Sequence, residues 1–154
     1  MSETIQTDVG NEMRFLIYKI GSETYGSPLL SIREVLEYQK PKQMPNMMKF
    51  FAGVINVRGA IVGVVDLRTK FNCSEEITRK TIMLLCDTDK GPIAAVVDSV
   101  ECVMQLKNDE LDAKPPIQSN VQQDYLIGVA KTKENLITII DLHKSLNDSQ
   151  LKAA

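Results

Sequence analysis

The sequence predicts an all-β fold: two packed five-stranded β-barrel subdomains related by internal duplication, with short helices and a C-terminal helix. Three observations predict it. The first is Phe50–Phe71, FFAGVINVRGAIVGVVDLRTKF, in which two apolar runs, Gly53–Val57 and Ala60–Val65, flank Arg58-Gly59. Glycine takes the positive φ that a tight turn needs, so the two runs read as a β-hairpin. The second is that the same plan returns in Tyr125–Leu146, YLIGVAKTKENLITIIDLHKSL. Gly53-Val54 matches Gly128-Val129, Ile61-Val62 matches Leu136-Ile137, and Asp66-Leu67 matches Asp141-Leu142, always 75 residues apart. A constant offset without gaps marks an internal repeat. The third is that Ala60–Val65 has no polar face. A strand covered on both sides gives that pattern. A small barrel supplies one cover, and the other half of the molecule supplies the second.

Composition narrows the function classes. The chain has 154 residues, 44% hydrophobic and 25% charged, which suits a globular protein with a real core. It has no Trp and only 5% aromatics, so Ile, Val, Leu and Met must build that core. The net charge of −2 argues against nucleic acid as a partner, which needs clustered Lys and Arg. No apolar run reaches the roughly 18 residues of a membrane helix. MSETIQTDVGNE lacks the basic and apolar regions of a secretory signal. Cys73, Cys86 and Cys102 are odd in number and not in CxxC spacing, and the last two lie in apolar runs that read as core. The expectation is a reduced, cytoplasmic protein.

Along the chain, residues 1–12 read as a disordered tail, 13–148 as one domain of two intertwined halves with a boundary near 72–78, and 149–154 as a second tail. Arg14–Ile20 and Thr24–Gly26 read as strands around a Gly21-Ser22-Glu23 turn. Ser27-Pro28 reads as a cap and first helical residue opening a brief turn through Ser31. Ile32–Tyr38 alternates like a strand, although a helix fits nearly as well. Asn46–Phe51 reads as a short helical segment, and Asp66 as the N-cap of a helix over Leu67–Phe71. Arg79–Cys86, Pro92–Val97 and Val100–Leu106 read as strands, Lys107–Asn120 as a polar loop, and Leu142–Lys152 as a helix. Upstream, Leu16–Ile20 resembles Ile82–Cys86, and Tyr25-Gly26 resembles Gly91-Pro92, at an offset near 66.

RFLIYKIGSETYG, IREVLEY and PNMMKFFAGVINVRGAIVGVVDLRTKF together resemble the CheW-like domain, the adaptor domain of bacterial chemotaxis. The resemblance runs from Arg14 to Leu146, and its most specific stretch is GVINVRG followed by VDL. It departs at Gly63, where the family usually has Pro. The resemblance implies a fold of two five-stranded barrels around a shared apolar core. It implies a non-catalytic scaffold, without cofactor or metal, that couples methyl-accepting chemoreceptors to a CheA-type histidine kinase. The receptor's hairpin tip would lie in the groove between the barrels, and the kinase's regulatory domain would pack on the barrels themselves. The protein would be cytoplasmic and recruited to membrane-bound receptor arrays. An adaptor of another chemosensory pathway, such as pilus-based motility, fits equally.

By the same resemblance, Glu34 and Arg58 form a pair beside the receptor-facing groove. A guanidinium–carboxylate pair can be bidentate and so fix a binding surface, while a plain solvated pair contributes little. Ile32 and Val35 flank Glu34 as candidate apolar contacts, or as core. Gly53 and Gly59 read as backbone requirements, with Gly53 alternatively keeping a docking face clear. Asn56 reads as a partner for hairpin amides. Asp66 and Asp141 share a context that favours two N-caps over an acid/base pair. His143 is the only histidine and stands on a helix, so a surface role is expected; no zinc set or phosphate loop accompanies it. An enzyme would need His143 or a cysteine in an open cleft beside a base. A small-barrel nucleic-acid binder would need basic patches and exposed aromatics.

Overall fold

A computed structural model describes residues 12–46, 50–71, 73–74, 76–112, 125–132 and 136–151. Of the expected tails 1–12 and 149–154, residues 1–11 and 152–154 lie outside these residues, as do most of the segment around Pro115-Pro116 and the middle of Asn46–Phe51, while Glu12 opens a strand and 149–151 end a helix. The first half holds β1 (Glu12–Ile20), β2 (Glu23–Pro28), β3 (Glu34–Glu37), β4 (Phe51–Val57), β5 (Ala60–Asp66) and α1 (Leu67–Lys70). The second holds β6 (Ile82–Thr88), β7 (Gly91–Val97), β8 (Ser99–Lys107), β9 (Leu111–Asp112), β10 (Leu126–Lys131), β11 (Leu136–Ile140) and α2 (Leu142–Leu151). The chain is all-β with short helices, as its sequence indicates.

The duplication is visible in the register. In β4–β5, Phe51 faces Val65 and Gly53 faces Val64, so one residue, Ala52, bulges out. In β10–β11, Leu126 faces Ile140 and Gly128 faces Ile139, with the same bulge at Ile127. Each pair lies 75 residues from its counterpart. Upstream, Tyr18 faces Tyr25 in β1–β2 as Cys86 faces Ile93 in β6–β7, which sets that offset at 68, not 66. Strand β3 on β6 likewise matches β8 on β1, with Glu34 opposite Leu85 and Cys102 opposite Ile17.

The two repeats exchange strands. One sheet runs β3-β6-β7-β5-β4 and the other β8-β1-β2-β11-β10-β9, so each sheet takes its first hairpin from one repeat and the rest from the other. The parallel contacts β5–β7 and β11–β2 are the seams. The expected pair of closed five-stranded barrels is corrected here: the sheets hold five and six strands, and among the described residues neither closes into a continuous barrel. β3 has four residues, and Pro41, which lacks an N–H, stands just before the chain crosses the gap. Among the described residues only Lys42 then reaches the opposite edge, exchanging 2.9 Å hydrogen bonds with Val54. In the other sheet, β8 turns through residues 108–110 and β9 pairs with β10, Asp112 against Val129.

Three apolar clusters follow from strand alternation. Met83, Leu85, Ala94 and Val96 face the concave side of the first sheet with Ile55, Val57, Val62 and Val64. Phe15, Ile17, Ile137 and Ile139 do the same in the second. Alternate residues of the same strands, Leu84, Cys86, Ala95, Leu16 and Tyr18, meet between the sheets with Leu67, Phe71, Leu142 and Leu146 from the helices. That double cover explains why the hairpin strands carry no polar face.

Two local expectations are corrected. Ser27 does not cap a helix: it lies in β2, fully buried, bonded to Tyr18 Oη at 2.8 Å and donating to Ile140 O at 3.1 Å. The short 3₁₀ turn Leu29–Ser31 follows Pro28 with no side-chain cap. Cys102 is exposed, while Cys86 is buried as expected. Cys102 stands at the position that Glu34 holds in the other sheet, at the mouth of the sheet and not in its core.

Candidate functional site

β3 alternates, placing Glu34 and Leu36 on one side and Val35 and Glu37 on the other. Leu36 packs into the concave cluster of the first sheet. Glu34 therefore stands at the mouth of that concavity, on the edge strand. The β4–β5 turn comes from the opposite edge. Val57 pairs with Ala60, and Arg58 and Gly59 have φ of 49° and 90°, the signature of a type I′ hairpin turn. Arg58 occupies a left-handed conformation that Asn or Gly would take at less cost.

This turn aims the guanidinium across the gap. Arg58 Nη1 donates to Glu34 Oε2 at 3.1 Å and Nη2 to Oε1 at 2.6 Å, a bidentate bridge from the β4–β5 turn to β3. The side chains are 66% and 36% exposed, so solvent screens the bridge and it adds little to folding. Its geometric worth is that it holds a planar, charged patch in place. The hydrogen bonds from Arg58 hold the Glu34 carboxyl below its ordinary value, opposed by partial desolvation. The sign follows: the bridge is intact above the unfolded carboxyl value and is lost as the pH falls through the lowered one.

The other expected residues divide into three groups. Asn56 Oδ1 accepts the Gly59 N–H at 2.8 Å and so stiffens the turn. Val35 is exposed and free to meet a partner, and Ile61, paired across the hairpin with Asn56, is also exposed. Ile32 is half-buried against the central cluster and does not join the patch. Gly53 is a backbone requirement. Its φ is 147°, and an added Cβ would lie 2.5 Å from Lys42 O. Gly53→Ala should thus break the Lys42–Val54 closure and cost about 1–3 kcal/mol, the range for forced overpacking, measurable by urea denaturation.

Asp66 and Asp141 are caps. Asp66 Oδ1 accepts Arg68 N–H at 3.0 Å and Asp141 Oδ1 accepts Lys144 N–H at 3.0 Å. His143 bonds the Asp87 carbonyl oxygen at 3.0 Å and lies 3.6 Å from Asp89 on the surface. His143→Ala should shift stability by no more than about 0.5 kcal/mol, and a melt beside partner-binding assays checks it. Among the described residues, no group of three or more His, Cys, Asp or Glu could hold a metal.

Two features involve residues that the sequence did not single out. The first is a cleft of about 610 Å³ between the sheets, where the end of β3 (Glu37, Tyr38), the lead into β6 (residues 78–82) and the start of β8 (residues 99–101) converge. The second is Arg68, wholly buried behind it. Its Nε and Nη2 donate to Asp66 at 2.9 and 2.8 Å, and Nη1 donates to Glu76 O at 2.6 Å and Asp98 Oδ1 at 3.1 Å. These bonds, led by Asp66, raise the guanidinium pKa further, so it stays charged despite burial. A charged residue directly after a cap and one apolar position was the available signal, since such a residue lies where the helix starts against the core.

The described residues thus build an open two-sheet β fold with an inter-sheet cleft and a charged pair at one sheet edge. The chain belongs to the CheW-like domain family, which matches residues 14–150. It is 29% identical to a chemotaxis protein CheW of Klebsiella aerogenes over 93% of this chain and 86% of that protein. It is 25% identical to one of Bacillus subtilis over 98% and 96%. It is also 23% identical to protein FrzA of Myxococcus xanthus over 92% and 90%. The fold is similar to that of the scaffolding protein TtCheW from Thermoanaerobacter tengcongensis, with a TM-score of 0.76 and 24% identity over 85% of this chain and 90% of that one.

Proposed function

We propose that this chain is a chemotaxis coupling protein that links methyl-accepting chemoreceptors to a CheA-type histidine kinase. The observation that carries the reading is the family match across both sheets and the cleft between them. The cleft lining combines apolar Tyr38, Ile82 and Val100 with charged Glu37, Arg79, Lys80 and Glu101, a mixture suited to an amphipathic helical hairpin tip. The exposed Glu34–Arg58 pair on one sheet offers a second surface, and Val35 and Ile61 are also exposed, on the other face of that sheet. A protein with two such surfaces can hold two partners at once without chemistry of its own. Recruitment to membrane-bound arrays then follows from receptor binding, since no helix among the described residues is long and apolar enough to cross a membrane.

A second reading keeps the mechanism and changes the receptors. The similarity to FrzA favours keeping an adaptor of another chemosensory pathway, such as pilus-based motility, in view. The test is pairwise binding of this chain to the kinase's regulatory domain and to receptor signalling tips from each pathway. Binding to the kinase domain and to chemotaxis receptor tips is expected. Binding to the tips of another pathway alone would move the assignment to that pathway, and binding to neither partner would refute the scaffold reading.

A further inference from the structure

Burying a guanidinium is costly unless every donor is matched, and Asp66 alone neutralises Arg68 through Nε and Nη2. The remaining nitrogen, Nη1, makes two bonds that charge balance does not require. Glu76 O, 2.6 Å away, stands two residues before the cleft wall that begins at Thr78. Asp98, 3.1 Å away, directly precedes the wall that begins at Ser99. Asp98 in turn anchors the other sheet. Its Oδ2 accepts the Gly21 N–H at 2.6 Å, and its own N–H donates to Lys19 O at 2.9 Å. The corner between β7 and β8, where the chain passes from one sheet to the other, is thus held from both sides.

We infer that Arg68 is a positioning residue for the inter-sheet cleft: one buried nitrogen ties the connector before β6 to the β7–β8 corner and sets the spacing of the two walls. The counterpart of Arg68 in the second repeat is His143, which is exposed and reaches the end of β6 and the β6–β7 turn. No matching tie exists there among the described residues, so the device is confined to the side that carries the cleft. The inference rests on the reading of this cleft as the seat of the receptor tip.

The experiment uses the full chain and a receptor signalling-tip hairpin as probe. Asp98→Asn leaves one acceptor oxygen where Arg68 and Gly21 need two, while keeping the side chain's size. Tip affinity should fall about tenfold, kinase-domain affinity should hold, and amide shifts should concentrate in residues 78–82 and 99–101. Unchanged tip affinity and unmoved cleft amides would overturn the inference. Tyr38→Ala and Val100→Glu, which alter the walls themselves, separate the two readings. If neither weakens tip binding, the docking assignment fails; if they do and Asp98→Asn does not, only the positioning role fails. Should Asp98→Asn not fold, hydrogen exchange on the unaltered protein decides. Tip binding should slow exchange at the Gly21 amide, which is outside the cleft, and no change there would overturn the tie.

Discussion

Arg68→Ala lowers the stability of the folded chain by about 3–5 kcal/mol, the cost of removing one partner from a buried ion pair. The size follows from what is left behind. Asp66 is 12% exposed and Asp98 27% exposed, and both lose the guanidinium that holds their charge. The Glu76 carbonyl loses a 2.6 Å bond, and a hole opens where the largest fully buried side chain stood. Urea denaturation measures it. A midpoint close to that of the unaltered protein would mean that water replaces the network and that the guanidinium is not structural. Asp66→Asn should cost less than Arg68→Ala, because Asn keeps the cap on the Arg68 amide.

Arg58→Asn should do the opposite: raise the melting temperature while weakening partner binding by at least about tenfold. Asn is the residue a type I′ turn favours before Gly, so the left-handed strain at this position is relieved. The bidentate bridge to Glu34 is lost in the same step. Because that bridge is exposed, its loss costs folding little, whereas a partner that covers Glu34 would meet an unpaired carboxylate. Glu34→Ala should weaken binding in the same way, and the double variant should lose less than both single losses combined. A fall in melting temperature would make the pair structural, and unchanged binding would move the site to Val35 and Ile61.

The sequence was most legible where function rests on local geometry. The Gly53 and Gly128 hairpins, the Arg58-Gly59 turn and the Asp66 and Asp141 caps need only neighbouring residues, and each stands where its pattern places it. The Glu34–Arg58 contact joins strands that are far apart in the chain, and it was legible only through the family resemblance. Ser27 was misread because Ser-Pro is a sound local start signal, overridden by buried partners from β1 and β11. The exchange of strands between repeats leaves no local mark, since both pairings bury the same faces. Gly63 shows the converse. An added Cβ would lie 2.5 Å from the Phe51 ring, so the aromatic fills the space that the usual Pro would need.

The scaffold claim is tested most directly by reconstituting a CheA-type kinase with receptor signalling tips, with and without this chain. The account predicts that receptors control kinase activity only when the chain is present, and that Arg58→Asn supports that control poorly at equal concentration while remaining folded. Receptor control that is equally strong without the chain would contradict it.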